Sequence, residues 1–130
     1  MKKILISILF LIVVSTTQLF SQTYKFEKSS FVYKNVDGVE LEMLMYKPLI
    51  SSNLKLPAIV FFFGGGWVKG DPSQFNLQAE YLATRGIFVF CPDYRTQSRH
   101  STTPFESVMD AKSAIRYLKI NGDELGIDIN

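Results

Sequence analysis

The chain is 130 residues long, 47% hydrophobic and 20% charged, which is room for one globular domain, and no low-complexity tract or internal repeat interrupts it. Fourteen basic residues against twelve acidic ones give a formal charge of +2, with no basic cluster interleaved with aromatics, so a nucleic-acid partner is not expected. The single cysteine forms no internal disulfide, and Cys91, at the end of an apolar run, reads as a buried inert thiol rather than a nucleophile.

In chain order, Lys2 and Lys3 precede an apolar core from Ile4 to Val14 and then small polar residues, the layout of a secretory signal peptide. That run is shorter than the roughly 20 residues that span a bilayer. Cleavage is expected after Ser21, which removes two lysines and no acid and leaves twelve basic against twelve acidic residues in 22–130. The mature chain is then expected to be secreted or periplasmic, with no membrane span; a retained N-terminal anchor is the alternative.

Residues 29–48, "SSFVYKNVDGVELEMLMYKP", form two alternating runs around Asp37-Gly38, a strong hairpin signal. Phe31 and Tyr33 answer Leu41, Leu44 and Tyr46 only approximately. After a loop, Pro57 leads into "AIVFFF", a continuous apolar run that predicts a strand buried on both faces. Asp71 and Pro72 read as the cap and first turn of a helix carrying Phe75, Ala79 and Leu82, stopped at Arg85-Gly86. "IFVFC", ended by Pro92, predicts a second buried strand. A polar loop, "DYRTQSRHSTT", follows, and a second helix runs from about Pro104 to Asn121 with Phe105, Val108, Ala111, Ile115 and Leu118 on one face. The alternation predicts an α/β fold in which 59–63 and 87–90 pair in parallel beside the antiparallel hairpin.

Between strand and helix lies "GGGWVKG", residues 64–70. Glycine costs about 0.5–1 kcal/mol relative to alanine in regular structure, so a triplet marks either a tight turn or a place where backbone meets a ligand. Its position at the carboxyl end of a parallel strand is where α/β folds bind ligands. A dinucleotide fingerprint needs glycine where Lys69 stands, and a phosphate-binding P-loop needs Lys-Ser/Thr where Gly70 is followed by Asp71. Adjacent glycine amides converging on one point can instead form an oxyanion hole, with no side chain to block an acyl group.

"AIVFFFGGGW", "DYR" at 93–95 and "TPFESVMDAKSAIRYLK" together resemble the N-terminal half of α/β-hydrolase esterases and lipases related to hormone-sensitive lipase and bacterial sugar-ester esterases. The resemblance covers roughly residues 30–130. It implies a partial α/β-hydrolase fold in 22–130 and a carboxylic-ester hydrolase acting on a small-molecule or polysaccharide ester, acetylated or feruloylated, without cofactor or metal. By the same resemblance Gly65 and Gly66 match the two oxyanion donors. Gly64 completes the loop, Trp67 matches an aromatic packed behind it, and Asp93, Tyr94, Arg95 and Asp110 match a supporting set without chemistry of their own. Phe63 stands where the family usually has a histidine that stiffens the loop; it can only pack.

No serine of the chain lies in a Gly-x-Ser-x-Gly elbow, and His100, the sole histidine, falls in a polar loop where a solvated role is expected. Two readings stand open. Either this is the front part of a secreted esterase, with the oxyanion half-site but not the Ser/Asp/His triad, or it is a complete small secreted α/β protein that binds a small anion or sugar ester without turning it over. In the first case the family order leaves strand 59–63 as a bare sheet edge.

Overall fold

A computed structural model describes residues 23–51 and 53–129; the expected leader, 1–21, lies outside them. β1 (Phe26–Val36) and β2 (Val39–Pro48) form the hairpin. Asp37 and Gly38 turn it with φ of 52° and 76°, the type I′ geometry whose twist suits a two-residue connection. The register shifts between Val32 and Lys34, leaving Tyr33 as an extra, bulged residue. That shift is why the two runs match only approximately in the sequence: Phe31 faces Met43, whereas Lys34 faces Leu41.

β3 (Ala58–Val60) and β4 (Phe88–Pro92) complete a four-stranded sheet of order β1-β2-β4-β3. β4 pairs antiparallel with β2 and parallel with β3, Ile59 lying opposite Val89. β4 is buried throughout and its residues alternate between two cores. Phe88 and Phe90 pack with Tyr33, Leu41, Met43, Ala114 and Leu118 on one face. Val89 and Cys91 pack with Tyr46, Ala79 and Ala83 on the other. Burial pushes the Cys91 thiol up to about 11, which keeps it protonated and inert at neutral pH.

Several expectations need correction. The strand expected at 59–63 ends as ladder at Val60, although Phe61 N still donates to Phe90 O at 2.8 Å. It is not buried on both faces either: Ile59 to Phe62 are half-buried, because among the described residues β3 lies at the sheet edge and its span Ala58–Val60 pairs on one side only. The edge is bare there, as expected; upstream of it Leu56 makes an isolated parallel bridge to Ile127.

The helix expected from Pro72 begins instead as a 3₁₀ turn, Pro72–Phe75, with the Asp71 carboxylate accepting from Ser73 N, and continues as α1 (Asn76–Ala83). The polar loop after β4 contains a single helical turn, α2 (Gln97–His100), and His100 is not merely solvated: its Nδ1 accepts from Thr96 N at 3.1 Å.

α3 (Pro104–Ile120) is opened by a capping box between Thr103 and Glu106. It buries Ser107, Asp110, Ala114 and Leu118; of the expected stripe Leu118 is buried, but Phe105, Val108, Ala111 and Ile115 are not. Phe105 is 72% exposed. The helix is rotated so that Asp110 meets Arg95 and Lys34 from beneath, and the apolar stripe is left along an open groove with Phe62. A short turn, α4 (Gly122–Leu125), follows. Among the described residues no helix is long and apolar enough to cross a membrane.

Candidate active site

The chain leaves β3 through Phe61 and Phe62, buries Phe63, and emerges as Gly64–Gly66 at the carboxyl end of the strand. Gly65 has a φ of 144°, and a Cβ on it would lie 1.9 Å from the Lys69 carbonyl oxygen, so only glycine fits. Gly65 O accepts from Val68 N at 3.1 Å and Lys69 N at 3.4 Å, which folds the loop back on itself. Trp67 O and Val68 O then accept from Gln97 N and Ser98 N, at 3.0 and 2.9 Å, so α2 holds the far side. Among the described residues the amides of Gly65 and Gly66 have no hydrogen-bond partner, and both glycines are exposed.

Phe63 packs as expected and does more. Its ring stacks on Tyr94 with centroids 4.0 Å apart and planes 7° from parallel, and Arg99 lies over it at 5.8 Å. The Tyr94 hydroxyl donates to Phe63 O at 2.5 Å; burial, with Asp93 beside it, pushes that hydroxyl up, so it stays a donor. Asp93 in turn accepts from Tyr94 N at 2.8 Å and from both Arg99 terminal nitrogens, at 2.6 and 2.7 Å. A two-point fork of this kind fixes the carboxylate's plane as well as its position.

Arg95 and Asp110 form a second, buried pair. Arg95 donates to Asp110 through Nε (2.8 Å), Nη2 (3.1 Å) and its backbone amide (3.1 Å), and Lys34 Nζ adds a bond of 2.6 Å. Burial alone would raise the Asp110 carboxyl, but the Arg95 and Lys34 hydrogen bonds outweigh it and hold it below the ordinary carboxylate range. Arg95 also reaches Asp37 in the hairpin turn at 3.1 Å. Beside this pair Ser107 Oγ donates to Arg95 O at 2.6 Å, and the Tyr33 hydroxyl to Asp93 O at 2.6 Å. The segment 93–95 is thus tied to β1, to α3 and, through Tyr94, to the glycine loop.

Trp67 is the exception among the supporting residues. It is 48% exposed with a φ of 63°, and it lines the mouth of the cleft instead of packing behind the loop. The space behind is already filled by Phe63 and Tyr94. Sequence reading also missed Gln74, Arg99, Tyr33, Lys34 and Ser107. Of these only Arg99, a cation six residues from Asp93 in a turn-rich loop, left a usable signal.

The cleft, about 270 Å³, is bounded by Phe62, Gly64 to Trp67, Val108 and Ala111. Its two hydroxyl side chains, Tyr94 and Ser107, both donate to backbone carbonyls. His100 is not among the lining residues. The arrangement therefore lines a small apolar hollow with two glycines whose amides are unpartnered, and among the described lining residues no nucleophile is paired with a base.

A solved esterase of Thermogutta terrifontis, phosphonylated by cyclosarin, matches with a TM-score of 0.75 and 47% identity over 78% of this chain and 39% of its own. The same esterase with propionate bound matches at 0.72 and 43%, over 85% and 39%. Among curated proteins, an isoprenylcysteine alpha-carbonyl methylesterase of Arabidopsis thaliana is 32% identical over 111 residues, 83% of this chain and 25% of its own length. The chain thus spans about a quarter of the curated relative and two fifths of the solved one. The mixed sheet and its helices are those of an α/β-hydrolase, and since the BD-FAE family model matches residues 43–130, the chain belongs to that α/β-hydrolase-type family.

Proposed function

We propose that this chain supplies the oxyanion half of a carboxylic-ester hydrolase site, and that the serine, carboxylate and histidine of the reaction come from outside its 130 residues. The observation that carries the reading is the pair Gly65 and Gly66, whose amides have no partner among the described residues and which line an apolar cleft at the carboxyl end of a parallel strand. An oxyanion develops where an ester carbonyl is attacked, and fixed N–H donors aimed there stabilise it without reorganising. The esterase character of the relatives supports the reaction class. The propionate complex of the related esterase and the small cleft favour a short acyl group; an acylated polysaccharide as the alcohol side is a further part of the proposal.

The sheet edge supports the route by which the remaining groups arrive. Leu56 pairs in parallel with Ile127, with Leu56 N donating to Gly126 O at 3.0 Å and Asp128 N to Leu56 O at 2.8 Å. A strand added to β3 in that register would draw level with Gly64 after about eight positions. A nucleophile on the turn after such a strand would face the two amides. Export is also proposed, with the leader removed after Ser21; mass spectrometry of the exported protein would find an N-terminus at Gln22.

The test is the chain alone. Without nucleophile and base, it should cleave p-nitrophenyl acetate at near-background rate and take no label from a fluorophosphonate probe. Serine hydrolases stripped of the triad retain roughly 10³–10⁴ over water, and half a cleft should give less. Stoichiometric labelling of a serine with turnover would contradict the reading.

A further inference from the structure

Three adjacent amides lie along the lip of the cleft, and one of them is taken. Gly64 N donates to Gln74 Oε1 at 2.6 Å, whereas Gly65 and Gly66 have no partner among the described residues. The Phe63 side chain offers no polar atom and its ring is committed to Tyr94, whose hydroxyl donates to the Phe63 carbonyl, so the Gly64 amide is held from across the loop instead. The 3₁₀ turn that carries Gln74 is itself fixed: Asp71 Oδ1 accepts from Ser73 N at 2.8 Å, Asp71 O accepts from Gln74 N at 3.3 Å, and the next ring, Phe75, stacks on Phe61 at 4.8 Å. A Cβ on Gly64 would meet Gln74 Oε1 at 3.6 Å, an ordinary contact, so the tie between them is the hydrogen bond and not steric fit.

We propose that Gln74 is the positioning residue of the glycine loop: its side-chain carbonyl occupies the Gly64 amide, holds the Phe63–Gly64 peptide whose carbonyl already accepts from the Tyr94 hydroxyl, and leaves Gly65 and Gly66 as the anion-binding pair. A carboxamide suits this place because it accepts a hydrogen bond without setting a full negative charge beside the anion. What the pair binds rests on the oxyanion reading; the clamp does not.

Amide exchange in the ¹⁵N-labelled chain separates the two claims. Gln74→Ala should speed exchange at Gly64 about tenfold, the loss expected for one hydrogen bond, and shift the Gly65 and Gly66 resonances, with the β1–β2 hairpin amides unchanged. Gln74→Glu, which keeps an acceptor, should retain the Gly64 protection. Unchanged Gly64 exchange in Gln74→Ala overturns the clamp, as does loss of protection in a folded Gln74→Glu chain; should Gln74→Ala fail to fold, Gln74→Glu decides alone. Titration of the wild-type chain with methylphosphonate reads the other claim: shifts at Gly65 and Gly66 favour the oxyanion role, and their absence counts against that role while Gly64 exchange still judges Gln74.

Discussion

At the scale of single residues, the glycine triplet is not uniform. Gly65 sits where a methyl group would strike the Lys69 carbonyl, whereas Gly66, at a φ of 63°, has open space around its Cβ position. Gly66→Ala should therefore cost about 1 kcal/mol, the strain of a left-handed alanine. Gly65→Ala should cost about 1–3 kcal/mol because the loop must also move. Urea unfolding of the two variants checks the order, and equal losses would contradict it. The triplet was legible in the sequence because glycine is the one residue whose presence reports backbone geometry directly. Gln74 was not, because a glutamine in a short turn has the same composition whether it clamps an amide or faces water.

Among elements, the tie between segment 93–95 and helix α3 is the sharpest electrostatic feature. Asp110 is fully buried between Arg95 and Lys34, and removing one partner of such a pair typically costs about 3–5 kcal/mol because the other charges stay behind. Asp110→Asn should be destabilising on that scale near neutral pH. The carboxyl lies lower when folded than when unfolded, so its stabilisation is complete above the ordinary carboxyl range near pH 4. It is lost as the pH falls from there through the lowered folded value. The gap in unfolding free energy between wild type and Asp110→Asn should thus narrow on going from pH 7 toward pH 3; a constant gap would show that Asp110 is not held ionised by its partners. Element type and order were readable from apolar runs and turn residues, since β4 needs two buried faces and Pro104 marks the start of α3. The rotation of α3 was not readable. Hydrophobic spacing pointed to Phe105, Val108, Ala111, Ile115 and Leu118, of which only Leu118 is buried, because Asp110, the buried partner of Arg95 and Lys34, sets which side faces the sheet. The shortness of β3 was hidden because "AIVFFF" reads as a strand buried on both faces; the run itself gave no sign of an edge, which was expected only from the family order.

Over the whole molecule, two largely apolar grooves begin at Phe61 and Phe62, where that edge strand ends. Phe62, Val108, Ala111 and Ile115 line a groove on one side of β3, and Phe61, Leu77, Tyr81 and Leu82 line another. An unpaired strand flanked by such surface favours association with another chain, so the purified chain should self-associate with rising concentration in sedimentation velocity. Leu77→Glu, at a site 80% exposed, should weaken that association without lowering the unfolding midpoint; a monomer at every concentration would remove the argument that this edge awaits a partner. The central claim, that these residues form a working oxyanion half-site, is tested most directly by supplying the other half. Residues 22–129 joined to the remaining part of the Thermogutta terrifontis esterase, which shares 47% identity across the matched region, should give a folded chimera that hydrolyses p-nitrophenyl propionate. Gly65→Pro in that chimera removes one donor amide and, because proline cannot adopt a φ of 144°, also displaces the loop that carries the other, so kcat should fall by at least about 10²–10³ with the overall fold retained by circular dichroism. An active, folded chimera whose kcat is indifferent to Gly65→Pro would contradict the account.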